Sequence, residues 1–465
     1  MSTLKANEAQ LGQSAESADN YVFSNTAGVL NLASGSAGDI QDNLISVQTS
    51  GEVDIAANTT IAGSFVVPTV SVSKDSTDVA NVQYVDNALT TYCDYYNLLP
   101  KWQSVATNGA FQGDLIFDSA GNLYWAVPNY YNGTTYTQTS YVYKITPSGS
   151  FSTYASVSTT GAGVSKLAID SAGNLYWGIS NRFNGSIYSF TSYLYKITPA
   201  QAGTSSPTVF ASAATLSCLG MDIVLDVDGT VYWAVMNEYD GTSFIQTSYV
   251  YKITSTGTKT VFASLLTNNA ISCRLKYNSS TNYFYWAFAE AAQYSIYRIN
   301  GAGNMSLFAS MASTSGAGGF ATDIIFDESG NLIWSIGATD TPTSWVNVYK
   351  ITPDGVSTNI ASIQANGGIL SANLAINSAG EIILEASNYY NGTTYNLTSY
   401  VYKLSNIDYS VSVLASHATS QNRGSSSLPM DANGNIYWVN NNYYNGSTYA
   451  LNSYIHVLSA QNYFV

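Results

Sequence analysis

Five short segments concentrate the side chains of this sequence that are best suited to binding a ligand. They read NYYNGTTYTQT, NRFNGSIYSFT, NEYDGTSFIQT, NYYNGTTYNLT and NYYNGSTYALN, at residues 129–139, 181–191, 237–247, 388–398 and 442–452. A tyrosine ring can stack on the apolar face of a sugar at little cost in rotamer entropy, and asparagine amides supply hydrogen bonds. We therefore predict a ligand-binding face formed by Tyr130, Tyr131, Tyr136, Phe183, Tyr239, Tyr389, Tyr390, Tyr395, Tyr443, Tyr444 and Tyr449.

A purely structural interpretation of each segment also exists. Asn-Gly is the preferred pair of a type I′ hairpin turn, and facing tyrosines stabilise cross-strand pairs. This interpretation is the stronger one for any single segment, whereas the recurrence of five such segments favours binding for the face as a whole.

The acidic residues offer two further kinds of chemistry. Asp114, Asp222 and Asp323 recur at matching positions, where they could line a central channel and bind a cation, although capping of nearby loops is the favoured role. A glycosidase needs two suitably separated carboxylates, and Glu238, Glu290 and Glu385 are the acids with no assigned role, but no pair is identifiable. No GxSxG, HExxH, CxxC or Walker pattern occurs. We therefore expect no enzyme activity, no metal and no cofactor.

These residues lie within a long internal repeat. The tryptophan of GNLYW recurs at positions 125, 177, 233, 286 and 334, is replaced by Leu384, and returns at position 438, so the steps are 52, 56, 53, 48, 50 and 54 residues. That period is typical of one four-stranded blade of a β-propeller. The first unit gives four strand candidates, DLIFD, LYWAV, SYVYKIT and FSTYAS, rich in β-branched and aromatic residues.

The last unit lacks a fourth strand, and residues 102–110 supply it. WQSVATNGA aligns with YASVSTTGA of the first unit, yet it precedes the first inner strand. An N-terminal strand that completes the last blade removes an exposed sheet edge. The sequence therefore predicts an all-β fold, a seven-bladed propeller over residues 101–465 closed by residues 102–106.

The turn between the first two strands of each unit reads Asp-x-x-Gly-Asn in most units. Its glycine suits a positive φ, and Asn282 stands in the glycine position of the fourth unit. We interpret these segments as plain turns, because their oxygen ligands are too sparse for a calcium loop. The long tyrosine-rich loops should share the opposite face, with a lower sector at units four and five. The chain should enter the ring on the short-turn face.

Composition narrows the classes of partner. The chain has 465 residues, 46% hydrophobic and only 9% charged, with 38 tyrosines and a net charge of −14. Nucleic acid and anionic membranes are therefore not expected as partners, since binding to either depends on clustered lysine and arginine. No signal peptide and no membrane-inserted segment is predicted. Three cysteines without paired spacing indicate free thiols.

Residues 1–100 do not share the repeat. Short strand candidates occur in residues 1–75, namely YVFSN, GVLNLAS, NLISVQTSG, EVDIA and SFVVPTVSVS. DVANVQYVDNALTT at 78–91 predicts a short helix within 76–100. Val79, Val82, Val85 and Leu89 form one apolar stripe, which would pack against copies of itself in an oligomer or against the propeller.

The stretch LGQSAESADNYVFSNTAGVLNLASGSAGDIQDNLISVQTSGEVDI and the later VANVQYVDNAL resemble the N-terminal region of tailed-phage fibre proteins. The resemblance implies a virion protein, made in the host cytoplasm and often a homotrimer, that anchors to capsid or tail proteins through its N-terminus. Its C-terminal part would bind a host-surface glycan or protein. The repeats are loosely similar to NHL-like and lactonase-like propellers, which bears on fold alone. A capsid decoration protein with little specific binding and a virion-associated polysaccharide-degrading enzyme are the alternatives.

Overall fold

The computed structural model describes the backbone of five N-terminal strands and, in atomic detail, most of the chain from residue 101. The atomically described ranges are 101–201, 207–290, 293–312, 321–337, 344–365 and 367–460. Contacts divide the chain into two units, Met1–Leu98 and Leu99–Val465.

Strands of the second unit form seven antiparallel sheets that follow one another along the chain, as in a seven-bladed β-propeller. Blade 1 contains β7(Asp114–Phe117), β8(Leu123–Val127), β9(Thr137–Ile145) and β10(Phe151–Thr160). Blade 2 contains β11(Ala162–Ile169), β12(Leu175–Asn181), β13(Ser189–Ile197) and β14(Thr208–Leu216). Blade 3 contains β15(Gly220–Leu225), β16(Val231–Met236), β17(Ile245–Ile253) and β18(Lys259–Asn268). Blade 4 contains β19(Ser272–Asn278), β20(Tyr283–Ala289), β21(Gln293–Asn300) and β22(Met305–Ala312). Blade 5 contains β23(Ala321–Phe326), β24(Leu332–Gly337), β25(Ser344–Ile351) and β26(Ser357–Ala365). A single 3₁₀ turn, Pro199–Gln201, is the helical element of the described residues. The predicted all-β, seven-bladed fold is confirmed.

The ring closes between the two ends of the repeat, as predicted. Blade 7 contains β32(Ile436–Asn440), β33(Ala450–Leu458) and the N-terminal strand β6(Lys101–Asn108). Strand β6 pairs antiparallel with β33, with Asn108 opposite Ala450 and Lys101 opposite His456. Because β33 starts at the end of a long loop and runs towards the short turns, β6 begins on the short-turn side of the ring.

Blades 6 and 7 depart from the regular four-strand pattern at their inner strands. Blade 6 contains β27(Ile369–Ser371), β28(Leu374–Ile376), β29(Ile382–Asn388), β30(Asn396–Leu404) and β31(Val411–Ser420), so its inner strand is split in two. In blade 7 the expected inner strand is replaced by isolated bridges, Gly113 with Ser425 and Met430 with Ile436. The serine run before Pro429 gives this segment little β propensity, and proline donates no ladder hydrogen bond.

The recurring tryptophan forms the core of each blade. Trp125, Trp177, Trp233, Trp286, Trp334 and Trp438 are all completely buried, and so is Leu384, which replaces the tryptophan in blade 6. The second strands are buried along their whole length, except for Tyr283 of β20, because neighbouring blades cover both faces. This burial explains their near-continuous apolar sequences.

In five blades an aspartate holds the turn between the first and second strands, and Asn278 and Asn377 take its place in blades 4 and 6. In blade 1, one oxygen of Asp118 accepts the N–H groups of Ala120 and Asn122, and the other accepts the Asn122 amide and the Tyr124 hydroxyl. Burial opposes ionisation of Asp118, but these hydrogen bonds prevail and lower its pKa. Gly121 has a φ of 79°, and Asn282 takes the corresponding left-handed conformation at 54°, as predicted.

The first unit contains one five-stranded antiparallel sheet. Its strands follow chain order: β1(Glu8–Leu11), β2(Tyr21–Thr26), β3(Val29–Ser36), β4(Asp39–Val47) and β5(Val53–Ile55). Four of these strands coincide with segments proposed from sequence, whereas β1 was not expected. The predicted short helix and its stripe of Val79, Val82, Val85 and Leu89 lie outside the described residues.

Removal of the closing strand should destabilise the ring strongly. A chain that starts at Gly109 loses the seven residue pairs between β6 and β33, whereas a chain that starts at Leu99 keeps them. At roughly 0.5–1.5 kcal/mol per hydrogen bond and about 2–4 °C per kcal/mol in a large domain, we expect the melting temperature to fall by about 10 °C. Calorimetry of both chains measures the difference, and equal melting temperatures would contradict the closure.

Candidate functional site

Five of the loops between second and third strands bring aromatic rings together on one face of the propeller. Each loop supplies two rings five residues apart, which stack on each other. We define the aromatic arc as these ten residues: Tyr131, Tyr136, Phe183, Tyr188, Tyr239, Phe244, Tyr390, Tyr395, Tyr444 and Tyr449.

The geometry of the arc repeats from blade to blade. Within each loop the two rings are nearly parallel, at interplanar angles of 25–31°. Between loops the second ring of one blade meets the first ring of the next edge-to-face, at 72–78°. All nine centroid distances lie between 4.4 and 5.4 Å, which is the range of favourable aromatic contacts. The rings therefore form a continuous row across blades 6, 7, 1, 2 and 3.

Local hydrogen bonds fix the loops that carry the arc. In the blade 1 loop, Asn132 accepts the N–H groups of Thr134 and Thr135 through its side-chain oxygen, an Asx turn. The Tyr131 hydroxyl donates to the Gly133 carbonyl at 2.7 Å. The same hydroxyl bond recurs at Tyr239, Tyr390 and Tyr444. These rings are therefore held in place before any ligand binds, while their edges stay partly exposed.

The arc is open on one side. In blade 4 the connection between β20 and β21 spans only residues 290–292, against residues 128–136 in blade 1. It closes with a hydrogen bond from Glu290 N–H to the Gln293 carbonyl and contributes no ring to the arc. The matching blade 5 loop, residues 338–343, lies outside the described residues.

Three of the tyrosines predicted to bind ligand lie inside the arc rather than on it. Tyr130, Tyr389 and Tyr443 precede the arc residues in their loops and turn towards the propeller axis. Tyr130 is only 6% exposed and packs against Phe111 in a small apolar cluster. Tyr188 and Phe244 were not among the predicted residues, although their spacing of five residues from Phe183 and Tyr239 repeats that of the other pairs.

A small pocket opens at the axis within the arc. It encloses about 180 Å³. Residues in the inner strands or just before them line it, together with Tyr389 and two arginines: Phe111, Gln112, Val164, Leu219, Ile271, Leu370, Arg182 and Arg423. We call this the axial pocket. It was not predicted, although Arg182 and Glu238 break the repeat by standing where three other loops have the inner tyrosine.

The two arginines are paired differently. Arg182 lies 3.4 Å from the carboxylate of Glu238, which also accepts a hydrogen bond from Ser217. Arg423 instead lies over three aromatic rings, Phe111 at 4.3 Å, Tyr443 at 4.5 Å and Tyr389 at 4.8 Å. Within the described residues it has no carboxylate partner, and the Nε–H groups of both arginines are buried without an acceptor. Burial raises the pKa of the nearby Tyr130 phenol, and both arginines oppose that rise.

The three aspartates proposed as channel residues join neighbouring blades below this pocket. Asp114, Asp222 and Asp323 each accept the backbone N–H of the next blade's inner strand, from Leu167, Leu275 and Leu374 respectively, at 2.7–2.9 Å. In blade 7 the Ser427 hydroxyl takes the same place and accepts the Leu115 N–H. These contacts match inter-blade capping more closely than a cation site.

Basic residues from the even-numbered blades neutralise two of these carboxylates. Lys166 lies 3.3 Å from Asp222, and Arg274 lies 3.2 Å from Asp323, with all four side chains buried. Burial opposes ionisation of Asp222, but the positive charges of Lys166, Lys276 and Arg274 prevail and lower its pKa. Among the described residues, no group of three or more His, Cys, Asp or Glu side chains is arranged to hold a metal ion.

Glu385 is a completely buried carboxyl group in the same central layer. It accepts hydrogen bonds from Ser371 at 2.7 Å and from Ser387 and Asn373. Burial raises its pKa to about 7, although these donors and Arg274 act in the opposite direction. The third acid considered from sequence, Glu290, accepts the Asn268 N–H, and burial raises its pKa. No two of Glu238, Glu290 and Glu385 contact a common group.

Two of the cysteines, Cys218 and Cys273, are buried free thiols, while Cys93 lies outside the described residues. Burial raises the pKa of Cys218 to about 12, so it is not a nucleophile at neutral pH. Within the part of the chain that the structure describes, no helix has the length and apolarity needed to cross a membrane.

The second unit is a seven-bladed β-propeller with a continuous row of aromatic rings on one face. No protein-family profile and no curated protein matches the chain. Solved structures with a similar chain path include a Lactobacillus plantarum protein, with 14% identity, 66% of this chain and 85% of that chain covered, and a TM-score of 0.44. A protein of unknown function from Dyadobacter fermentans has 11% identity, with 63% of this chain and 96% of that chain covered and a TM-score of 0.44. The C-terminal WD40 domain of Sif2 has 12% identity, with 77% of this chain and 98% of that chain covered and a TM-score of 0.45. Similarity at this level carries no functional argument.

Ionisation of Glu385 should make the stability of the propeller depend on pH. Its folded-state pKa of about 7 lies above the ordinary value of 4.5, so its stabilising contribution is complete below pH 4.5 and is lost as the pH rises through about 7. At about 1.4 kcal/mol per pKa unit the loss is at most about 3 kcal/mol. Glu385→Ala restores the alanine found at Ala126, Ala234 and Ala287 of other blades and should flatten this dependence.

Urea unfolding between pH 4.5 and pH 8 measures the effect as a difference in slope, which is independent of any constant cavity cost. Glu328→Ala is the matched control, because this glutamate lies exposed in the turn after β23. Parallel pH profiles for the wild type and Glu385→Ala would show that the buried carboxyl group does not titrate in this range.

Proposed function

We propose that this protein is a virion fibre or appendage protein whose propeller binds a saccharide on the host surface. The single observation that carries the binding part of the proposal is the aromatic arc. Ten partly exposed rings form one row, and hydrogen bonds within the loops hold four of them. Such a row is more than hairpin stability requires.

The chemistry of the arc suits a sugar polymer better than a protein partner. Partly exposed rings can stack on successive sugar units. The same loops carry Asn, Thr and Ser side chains, whose amides and hydroxyls can hydrogen-bond to the sugar. The loops carry few charged residues, so binding there would depend on shape and stacking rather than on ion pairs. Fixed rings also reduce the entropy lost on binding.

The virion part of the proposal rests on the N-terminal resemblance to tailed-phage fibre proteins. The short strands of that region form a chain-ordered antiparallel sheet, which is compatible with a small anchoring module. Strand β6 begins on the short-turn side of the ring, so the aromatic arc lies on the face opposite the point where the chain enters the propeller. We propose that the N-terminus binds capsid or tail proteins in the assembled virion and that the protein is a homotrimer.

Substitution of arc rings should weaken binding to a surface polysaccharide in steps. Tyr136→Ala and Tyr449→Ala each remove one stacking ring without breaking a hydroxyl bond that holds a loop. We expect each to weaken binding by about threefold to tenfold, as removal of an aromatic contact of about 0.5–1.5 kcal/mol would. A panel of purified bacterial surface polysaccharides, with biolayer interferometry as the readout, identifies a bound polymer and then measures both variants.

Tyr141→Ala is the matched control, since Tyr141 also stacks on a neighbouring tyrosine but lies on β9 outside the arc. If Tyr136→Ala, Tyr449→Ala and Tyr141→Ala all bind the polymer as tightly as the wild type, the ligand site lies outside the arc. Shortening of the bound polymer during the incubation would support the polysaccharide-degrading alternative, and absence of binding to intact host cells would support the decoration alternative.

The mass of the protein in solution tests the proposed trimer. We expect light scattering to give three chains for the full-length protein and one chain for a protein that starts at Lys101, because the apolar stripe at Val79, Val82, Val85 and Leu89 would form the contact. A monomer in both cases would mean that the stripe packs within its own chain, and a trimer in both would place the contact on the propeller.

A further inference from the structure

We propose that the axial pocket binds the carboxylate of an acidic sugar unit, such as a uronic or sialic acid, within the polymer that the aromatic arc holds. This inference rests on the proposed saccharide binding and names the sugar class. It depends on Arg423 and Arg182, which the repeat pattern alone did not identify as functional.

The charge of the pocket is unusual for this chain. The protein carries a net charge of −14 and only 15 lysines and arginines, yet two arginines line one pocket of about 180 Å³. Glu238 neutralises one of them at 3.4 Å. Among the described residues no carboxylate reaches Arg423, so the pocket keeps an excess of one positive charge that a bound anion would balance.

The way in which Arg423 is held favours an anionic ligand over a structural role. Its guanidinium lies against Phe111, Tyr389 and Tyr443, and these cation–π contacts fix its position without accepting its N–H donors. The buried Nε–H groups of Arg423 and Arg182 both lack an acceptor among the described residues. A planar carboxylate matches a guanidinium in a two-bond geometry, which makes arginine the usual partner for this group.

The remaining lining suits the body of a sugar ring. Leu219, Ile271 and Leu370 form apolar walls, against which the C–H face of a pyranose can pack. Pockets for drug-sized ligands enclose about 300–1,000 Å³, so this one accommodates a single small unit rather than an oligosaccharide. The arc around it would hold the neighbouring units, and its open side at blade 4 would let a long polymer leave the face.

Saturation-transfer NMR and calorimetry with defined sugars test the inference on the full-length protein. The probes are galacturonic acid and N-acetylneuraminic acid, with methyl galacturonate and galactose as neutral counterparts of the same ring size. We expect at least one acid to bind at least about tenfold more tightly than the neutral sugars, the effect of one charge-assisted hydrogen bond, and its affinity to fall with added salt.

Three variants separate charge from folding. Arg423→Gln should remove the preference for the acid, while Arg423→Lys should retain part of it, because lysine keeps the charge without the planar fork. Arg298→Gln is the matched control: Arg298 also lies over two aromatic rings, in blade 4, and contributes nothing to the pocket. A melting temperature and a circular dichroism spectrum like those of the wild type show that Arg423→Gln is folded.

The outcomes distinguish this inference from the function on which it rests. Equal binding of galacturonic acid and its methyl ester, or equal effects of Arg423→Gln and Arg298→Gln, overturns the acidic-sugar assignment and leaves saccharide binding by the arc intact. If Tyr136→Ala loses polymer binding but the wild type shows no preference for acidic sugars, the acidic-sugar assignment is likewise overturned and saccharide binding by the arc stands. Failure of the wild type to bind any saccharide overturns both proposals.

Discussion

The propeller depends on contacts that join each inner strand to the next one around the axis. In blades 1, 3 and 5 an aspartate of the inner strand accepts a backbone N–H from the inner strand of the following blade, and Ser427 does the same from blade 7. A buried carboxylate that lost its partner would cost several kcal/mol, so Lys166 and Arg274 of the even-numbered blades make the arrangement tolerable. The register of the blades, and with it the height of every loop above them, follows from these contacts.

Much of the fold could be predicted because its signals are local and repeated. Three features remain recognisable although the units differ in sequence: the spacing of the tryptophans, the Asp-x-x-Gly-Asn turns and the N-terminal strand that completes the last blade. Asn282 shows how one unit replaces its glycine. The inner strands of blades 6 and 7 could not be predicted in this way. Their departures come from Asn373 and the serines around position 426, whose hydrogen bonds cross to other blades and leave no periodic trace in the sequence.

The candidate site was predictable in part for the same reason. Arc residues such as Tyr131 and Tyr449 recur at fixed spacing, whereas contact between the rings of successive blades exists only once the ring has closed. Arg182 and Glu238 gave the opposite signal, since they depart from the repeat. In a repeat protein a residue that breaks the consensus at an inward-facing position can therefore be as informative as one that maintains it, because the consensus already satisfies the demands of folding.

A nearly symmetric repeat has produced an asymmetric face. Blades 6, 7, 1, 2 and 3 keep the long aromatic loop, and blade 4 has reduced it to three residues, so the arc does not continue from blade 3 into blade 4. A closed ring of aromatic residues would offer a long polymer no exit from the axis. In the binding that we propose, an open arc would let one polymer chain lie along the rings with a single unit turned into the axial pocket. The shortened loop in blade 4 would then matter as much to that binding as the tyrosines that the other blades retain.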